Sequence, residues 1–285
     1  MQINNELVLG LDIGGTNMRV GLFKGFMLVN QYAETLRNPD DEKGTLNQLI
    51  ALIQKLFCSD VEAIGLGVPS VVDPVSGIVY NAVNIPSWVE VPLRDIVENV
   101  FQKPVFVNND ANCFALGEHY FGVGKNKEHM VGLILGTGTG AGIISNGKLL
   151  AGRNNGAGEF GMIPYRESDF EHYCSGGFFE LTYGLSSLKA FQQAVSNQNE
   201  GLKTWDAFGK NLAELIKVIL FSVDPELIVI GGGLAQAYPF YYPSLIESLK
   251  DFAFKNSLKH LKIEKSSLSN AALFGAASLY YDHNR

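Results

Sequence analysis

Short, nearly continuous apolar runs open the chain: "LVLGLDI", then "MRVGLF" and "FMLVN" close behind. Runs of this length bounded by glycine or polar residues predict buried strands, and their close spacing predicts a meander with tight turns. In "TLNQLIALIQKLF" the rhythm changes, and Leu46, Leu49, Ile50, Ile53 and Phe57 recur at helical spacing. "AIGLGV" then reads as a strand, "LRDIVENVF" as a helix, "VFVNN" as a strand and "ANCFALGEHYF" as a helix.

After that the order restarts. "MVGLILGTGTGAGIISNGKLL" predicts a strand, a glycine turn, a second strand and an Asn-Gly hairpin into a third. A helix is predicted from about Trp205 to Phe221, a strand in "ELIVIGGG", a helix from about Tyr241 to Phe254, a strand in "LKIEK" and a last helix from Asn270. A meander followed by alternating helices and strands therefore occurs twice. This predicts an α/β protein built from a duplicated unit, with residues 1–116 completed by the helix 270–285 as one domain and 117–269 as the other. Two independent domains would give a similar string. Duplication would leave a cleft between the halves for a ligand.

Composition narrows the function. The chain has 285 residues, 46% of them hydrophobic, which is ample for two packed domains. A net charge of -7 repels phosphate backbones and argues against nucleic acid as a partner. Small phosphates remain open, because backbone amides and Mg²⁺ bind them without surplus Lys or Arg. Cys58, Cys113 and Cys174 are odd in number, widely spaced and form no CxxC, as expected of a reduced, cytoplasmic protein. The N-terminus lacks the basic segment of a signal peptide, and no apolar run is long enough to span a membrane.

"DIGGTN" places Asp12, Gly14, Gly15, Thr16 and Asn17 directly after a buried strand. Glycines let a backbone approach a ligand closely, and their amides can line a phosphate. Asp12 would repel phosphate, so its use there needs Mg²⁺ or water between them. A tight hairpin that merely uses glycine is the alternative. "LGTGTGAG" repeats the design with Gly136, Thr137 and Gly138, and Gly231, Gly232 and Gly233 close a third strand. Three such turns at strand ends favour phosphate binding. None is a Walker A loop or a dinucleotide fingerprint. In "VNNDANCFALGE", Asp110 stands between a strand and a helix, placed either to cap the helix or to take a proton as a general base.

These motifs together resemble the ROK family of sugar kinases and repressors, within the actin/hexokinase-like (ribonuclease H-like) ATPase fold. "DIGGTN", "GLGVPSVVD", "NIPSW", "NNDANCFALGE", "LGTGTGAGIISNGKLLAGRNNGAGEFG", "IVIGGG" and "NAALFGAA" fall in family order, nearly end to end. The resemblance implies transfer of phosphate from Mg-ATP to the 6-hydroxyl of a hexose, with Asp110 as base. It implies that Asn109, Glu159 and Glu180 bind sugar hydroxyls, that Asn84 and Trp88 line the site, and that Asp12 holds Mg²⁺ through water. It assigns ATP to Gly14, Gly15, Thr16, Asn17, Gly136, Thr137, Gly138, Gly232 and Gly233. It also implies a homodimer, and a start too close to the kinase fold for the family repressors' helix-turn-helix. Ser70 stands where many relatives have glycine, and Arg153 is left without a role. An amino-sugar or ketohexose kinase, a non-catalytic sugar-binding regulator and an ATPase with another acceptor are the alternatives.

Most family kinases bind zinc through a His in E-x-G-H and three Cys in C-x-C-G-x-x-G-C-x-E. Aligned on Glu180, those positions here are Met162, Glu171, Tyr173 and Phe178, and Cys174 falls on a family glycine. No zinc is therefore expected. Tyr173, Phe178 and Phe179 are expected to hold this loop by packing instead, at about 25 cal/mol per Å² of apolar area buried.

Overall fold

The opening meander forms as β1 (Leu7–Ile13), β2 (Asn17–Lys24) and β3 (Met27–Thr35). β1 pairs antiparallel with β2, and β2 with β3. The helical periodicity that follows becomes α1 (Glu42–Gln54), whose buried face is Thr45, Leu46, Leu49, Leu52 and Ile53. β4 (Val61–Val68) then lies parallel to β1. Three two-residue strands, β5 (Val71–Val72), β6 (Val79–Tyr80) and β7 (Glu90–Val91), form a small separate sheet. Strands this short carry no periodicity, so sequence reading missed them. α2 (Leu93–Phe101), β8 (Val105–Asn109) and α3 (Asp110–Tyr120) close this half, with β8 parallel to β4.

The second sheet contains β9 (Met130–Leu135), β10 (Thr139–Ser145) and β11 (Lys148–Leu149). A short hairpin, β12 (Pro164–Tyr165) and β13 (Ser168–Asp169), leads into α4 (Phe170–Cys174) and α5 (Gly177–Tyr183). α6 (Ser187–Val195), α7 (Asn199–Val223) and β14 (Leu227–Gly231) follow, then α8 (Tyr238–Leu249), α9 (Lys255–His260), β15 (Lys262–Lys265) and α10 (Ala271–His283). α7 starts earlier than the Trp205 expected. α8 runs from Tyr238 to Leu249 rather than from Tyr241 to Phe254, with a proline in its first turn, where a missing amide costs nothing.

Duplication is visible in the sheets. Their strand orders are β3-β2-β1-β4-β8 and β11-β10-β9-β14-β15, so each strand of one has a counterpart in the other. This is a mixed α/β fold of the actin/hexokinase-like type.

Residues 5–284 are described by this computed structural model. They divide into two compact units. The first comprises the chain up to Glu128, Gly142–Ala157 and the chain from Leu268 on; the second comprises His129–Ala141 and Gly158–Ser267. The division differs from the halves 1–116 with 270–285 and 117–269, because residues 117–128, 142–157 and 268–269 group with the first unit. In the first unit α10 packs on α3, β1 and β4. Gly275 permits the crossing with α3, since a Cβ there would fall onto the main chain of Cys113.

Candidate active site

The first unit brings its polar groups to the ends of β1 and β8. Asp12, 8% exposed, closes β1 and accepts a hydrogen bond from Arg19 Nη1 at 3.0 Å. Antiparallel pairing puts Asp12 directly opposite Arg19. Burial raises the Asp12 pKa above the ordinary carboxylate value, and Arg19 offsets part of that. Just beyond, the Gly14 amide donates to the Asn17 carbonyl at 2.8 Å and closes the turn. Gly15 faces Asn84, whose backbone is left-handed at φ 67°; any Cβ at Gly15 would meet the Asn84 side chain. A single buried carboxylate beside such a turn suits Mg²⁺, which takes one or two carboxylates and completes its octahedron with water and phosphate oxygens.

At the end of β8 the two readings of Asp110 separate. The helix cap is Asn109, whose Oδ1 accepts the Asn112 amide at 2.7 Å. Asp110 is the first residue of α3, beside the positive end of the helix dipole. The sequence expectation of a capping Asp110 is corrected accordingly. Trp88 is corrected too. It is fully buried, with its indole Nε1 donating to Thr45 Oγ1 at 2.8 Å, and it belongs to the core beneath α1. Arg153 and Asn154 line a cavity of about 390 Å³ with Val71, Val72, Asp73, Val75 and Tyr80.

In the second unit a cavity of about 590 Å³ opens over the second glycine turn. Gly136, Thr137, Glu180 and Gly233 line it, together with Leu188, Phe191 and Leu234. Glycine turns and apolar side chains thus share the lining of this cavity. Gly232 is essential to this geometry: its φ is 83°, and a Cβ would strike the Leu135 backbone. Gly136 donates to the Gly138 carbonyl at 3.0 Å.

Glu171 is the residue that sequence reading undervalued. Its Oε2 accepts the Thr139 amide at 2.9 Å, and Thr139 Oγ1 donates to the Cys174 carbonyl at 3.0 Å. The Gly176 amide donates to the Gly136 carbonyl at 2.7 Å. The loop aligned with the zinc motif is here tied to the second glycine turn by these bonds. Nothing local in the sequence signals a contact between residues so far apart. Glu159 is exposed as a residue, yet partial loss of water around its carboxyl, and then the charge of Glu171, raise its pKa.

Aromatic packing holds this loop in two groups. Phe178 and Phe179 are buried against Trp205 and Phe208. Tyr173 stands apart from them, edge-on to Tyr165, which stacks on Phe170 at 4.4 Å. Tyr173 also donates to Glu167 Oε2 at 2.9 Å, and the Arg166 guanidinium lies over both tyrosine rings. Cys174 is buried, which pushes its thiol pKa well up. Among the described residues, no three His, Cys, Asp or Glu side chains cluster in a way that could hold a metal.

Residues 8–283 match the model of the ROK family. The chain is 28% identical over 305 residues to the glucokinase of Thermotoga maritima, covering 95% of this chain and 96% of that protein. It is 30% identical over 302 residues to the N-acetyl-D-glucosamine kinase of Yersinia enterocolitica, covering 95% and 98%. Its fold matches the crystal structure of a ROK family glucokinase from Streptomyces griseus in complex with glucose and AMPPNP. That match has a TM-score of 0.78 and 25% identity, and covers 96% of this chain and 98% of that one.

Proposed function

The chain belongs to the ROK family, and on that premise we propose that it transfers the γ-phosphoryl group of ATP to the 6-hydroxyl of a hexose, glucose or a related aldohexose. The observation that carries this reading is the cavity of the second unit, where a glycine turn, Gly233 and an apolar wall meet. The relatives described above are sugar kinases by name, which supports the same reading.

In this reading Gly136, Thr137, Gly138, Gly232 and Gly233 bring backbone amides to the nucleotide, with Gly14, Gly15, Thr16 and Asn17 as the second phosphate turn. Asp110 accepts the proton of the attacking hydroxyl, so that the new O–P bond forms as the bond to the ADP oxygen breaks. Mg²⁺ supplies neutralisation of the phosphate charge, and Asp12 is the residue that would hold it. Glu159 and Glu180 accept hydrogen bonds from sugar hydroxyls. Asn109, whose Oδ1 is engaged in the cap, offers its side-chain N–H group to the sugar.

A second reading, phosphorylation of an N-acetylated amino sugar, is favoured by Met162. Its apolar side chain is 63% exposed close in sequence to Glu159 and suits an acetyl methyl group. A coupled ADP-release assay over glucose, mannose, fructose, allose, N-acetylglucosamine and N-acetylmannosamine separates the readings. The primary reading expects the largest kcat/KM for an unmodified aldohexose. A larger value for an N-acetyl sugar supports the second, and no sugar-dependent ADP release contradicts both.

A further inference from the structure

We propose that Asn155 is a positioning residue that clamps the loop before Gly158 to the first turn of α3. It would hold Asp110 and the Arg153–Asn154 pair as one rigid piece. The inference rests on the reading of Asp110 as the base.

Asn155 has a left-handed backbone at φ 58° and is only 3% exposed. Glycine would meet that backbone requirement at no steric cost. Asparagine tolerates it and adds a side chain, and here both ends of the amide are bonded. Its Nδ2 donates to Asn108 Oδ1 at 2.8 Å, and its Oδ1 accepts from Asn112 Nδ2 at 3.1 Å. Asn108 sits near the end of β8, and Asn112 lies in the first turn of α3. Asn108 Oδ1 also accepts the Asn109 amide at 2.8 Å and Asn112 Nδ2 at 2.9 Å.

Three donors thus converge on one amide oxygen beside Asp110, and one of them comes from the loop. All four asparagines of this group are buried. Buried amide networks rigidify a site but cost stability when incomplete. Among the described residues, Asn112 Oδ1 is buried with no hydrogen-bond partner. The neighbours in the loop, Arg153 and Asn154, line the cavity shared with Asp73 and Tyr80.

The test compares Asn155→Gly with wild type. Glycine keeps the left-handed backbone and removes only the amide. Asn197→Gly is the control, since Asn197 is an exposed, left-handed asparagine far from these groups in sequence. Kinetics are measured with the best sugar of the panel, and hydrogen exchange by mass spectrometry follows residues 110–113 and 151–157. Asn155→Gly is expected to lower kcat about tenfold or more, as misplacement of reacting groups does. The nucleotide KM should stay unchanged, and exchange should rise in both segments together. Asn155→Asp keeps the size but loses the donor to Asn108, and is expected to lower kcat likewise; it serves if the glycine variant does not fold. Kinetics equal to those of Asn197→Gly, or faster exchange confined to 151–157, overturns the proposal. If wild type phosphorylates no sugar, the function reading fails instead, and the exchange result alone decides whether the clamp exists.

Discussion

The turns after β1 and after β9 occupy the same place in two sheets of one strand order, yet they are built differently. "GLDIGG" in the first corresponds to "GLILGT" in the second, so Asp12 has Ile134 as its counterpart. The first turn is stabilised by neighbours: Asp12 binds Arg19 across the hairpin, and Gly14 bonds to Asn17. The second is stabilised from a distance, by Glu171 and the Cys174 carbonyl on Thr139. A similar divergence occurs at the far strand of each sheet. β8 runs into a helix that starts with Asp110, while the helix after β15 has no acid in its first turn. At these two strand ends only one copy of the repeat carries an acid. The other offers amides, glycines and an apolar wall. On the proposed function, this division of labour draws the base and the cation site from one copy and the nucleotide cavity from the other.

The largest expected effect comes from the acid of the helix start. Asp110→Asn is expected to lower kcat about 10²–10⁴-fold, the usual contribution of a general base. Sugar affinity by calorimetry should be retained, and a variant keeping more than about a tenth of kcat would remove Asp110 from that role. Asp12→Asn should follow, with kcat/KM for Mg-ATP down about 10²-fold and sugar affinity unchanged. An effect on sugar affinity alone would mean that the two turns have exchanged roles.

Glu171→Ala frees the Thr139 amide and is expected to raise the nucleotide KM about tenfold, the scale of one charged hydrogen bond. Glu171→Gln still accepts that bond, so its rise should be smaller. An unchanged KM in the alanine variant would show that the second turn stands without its distant support.

A pH profile sharpens the contrast further. Asp12 and Glu159 both have raised pKa values in the folded protein. Their protonated forms are favoured by folding, so this part of the stability is present at acid pH and is lost as pH rises through the raised values. Activity needs both ionised and moves the opposite way. The acid limb of kcat/KM should therefore lie above the ordinary carboxylate range. Glu171→Gln removes a charge that raises Glu159, so the limb should shift to lower pH, by less than about one unit. A shift to higher pH contradicts the assignment. The smallest effect is expected from zinc removal: with Mg²⁺ in excess, a strong zinc chelator should leave the melting temperature unchanged, and elemental analysis should find no stoichiometric zinc. One zinc per chain would overturn the aromatic account of the loop.

What could be read in the sequence follows the same division. The strand-end positions of Asp12, the glycine turns and Asp110 were legible because each belongs to a local motif, whereas the role given to Asp110 came from the family resemblance and not from spacing. The duplicated meander was legible for the same reason. Trp88 was misplaced because an aromatic beside a turn reads equally as a pocket wall and as core, and only its bond to Thr45 decides. Asn109 took the cap because its side chain, one residue earlier, reaches forward to accept from the Asn112 amide. Glu171 and Asn155 were opaque, since their partners come from other elements of the fold. For the zinc-position loop, Phe178 and Phe179 were legible as packing residues. Tyr165 and Phe170, which form the second aromatic group with Tyr173, were not.

The central claim is transfer of phosphate to a sugar hydroxyl rather than to water. Phosphorus NMR of a reaction containing ATP, Mg²⁺ and the best hexose tests it directly. The account predicts one sugar phosphate per ADP, with the phosphorus signal split by the protons on carbon 6, and no such product from the 6-deoxy sugar. Inorganic phosphate appearing with ADP at the same rate whether or not sugar is present would contradict it.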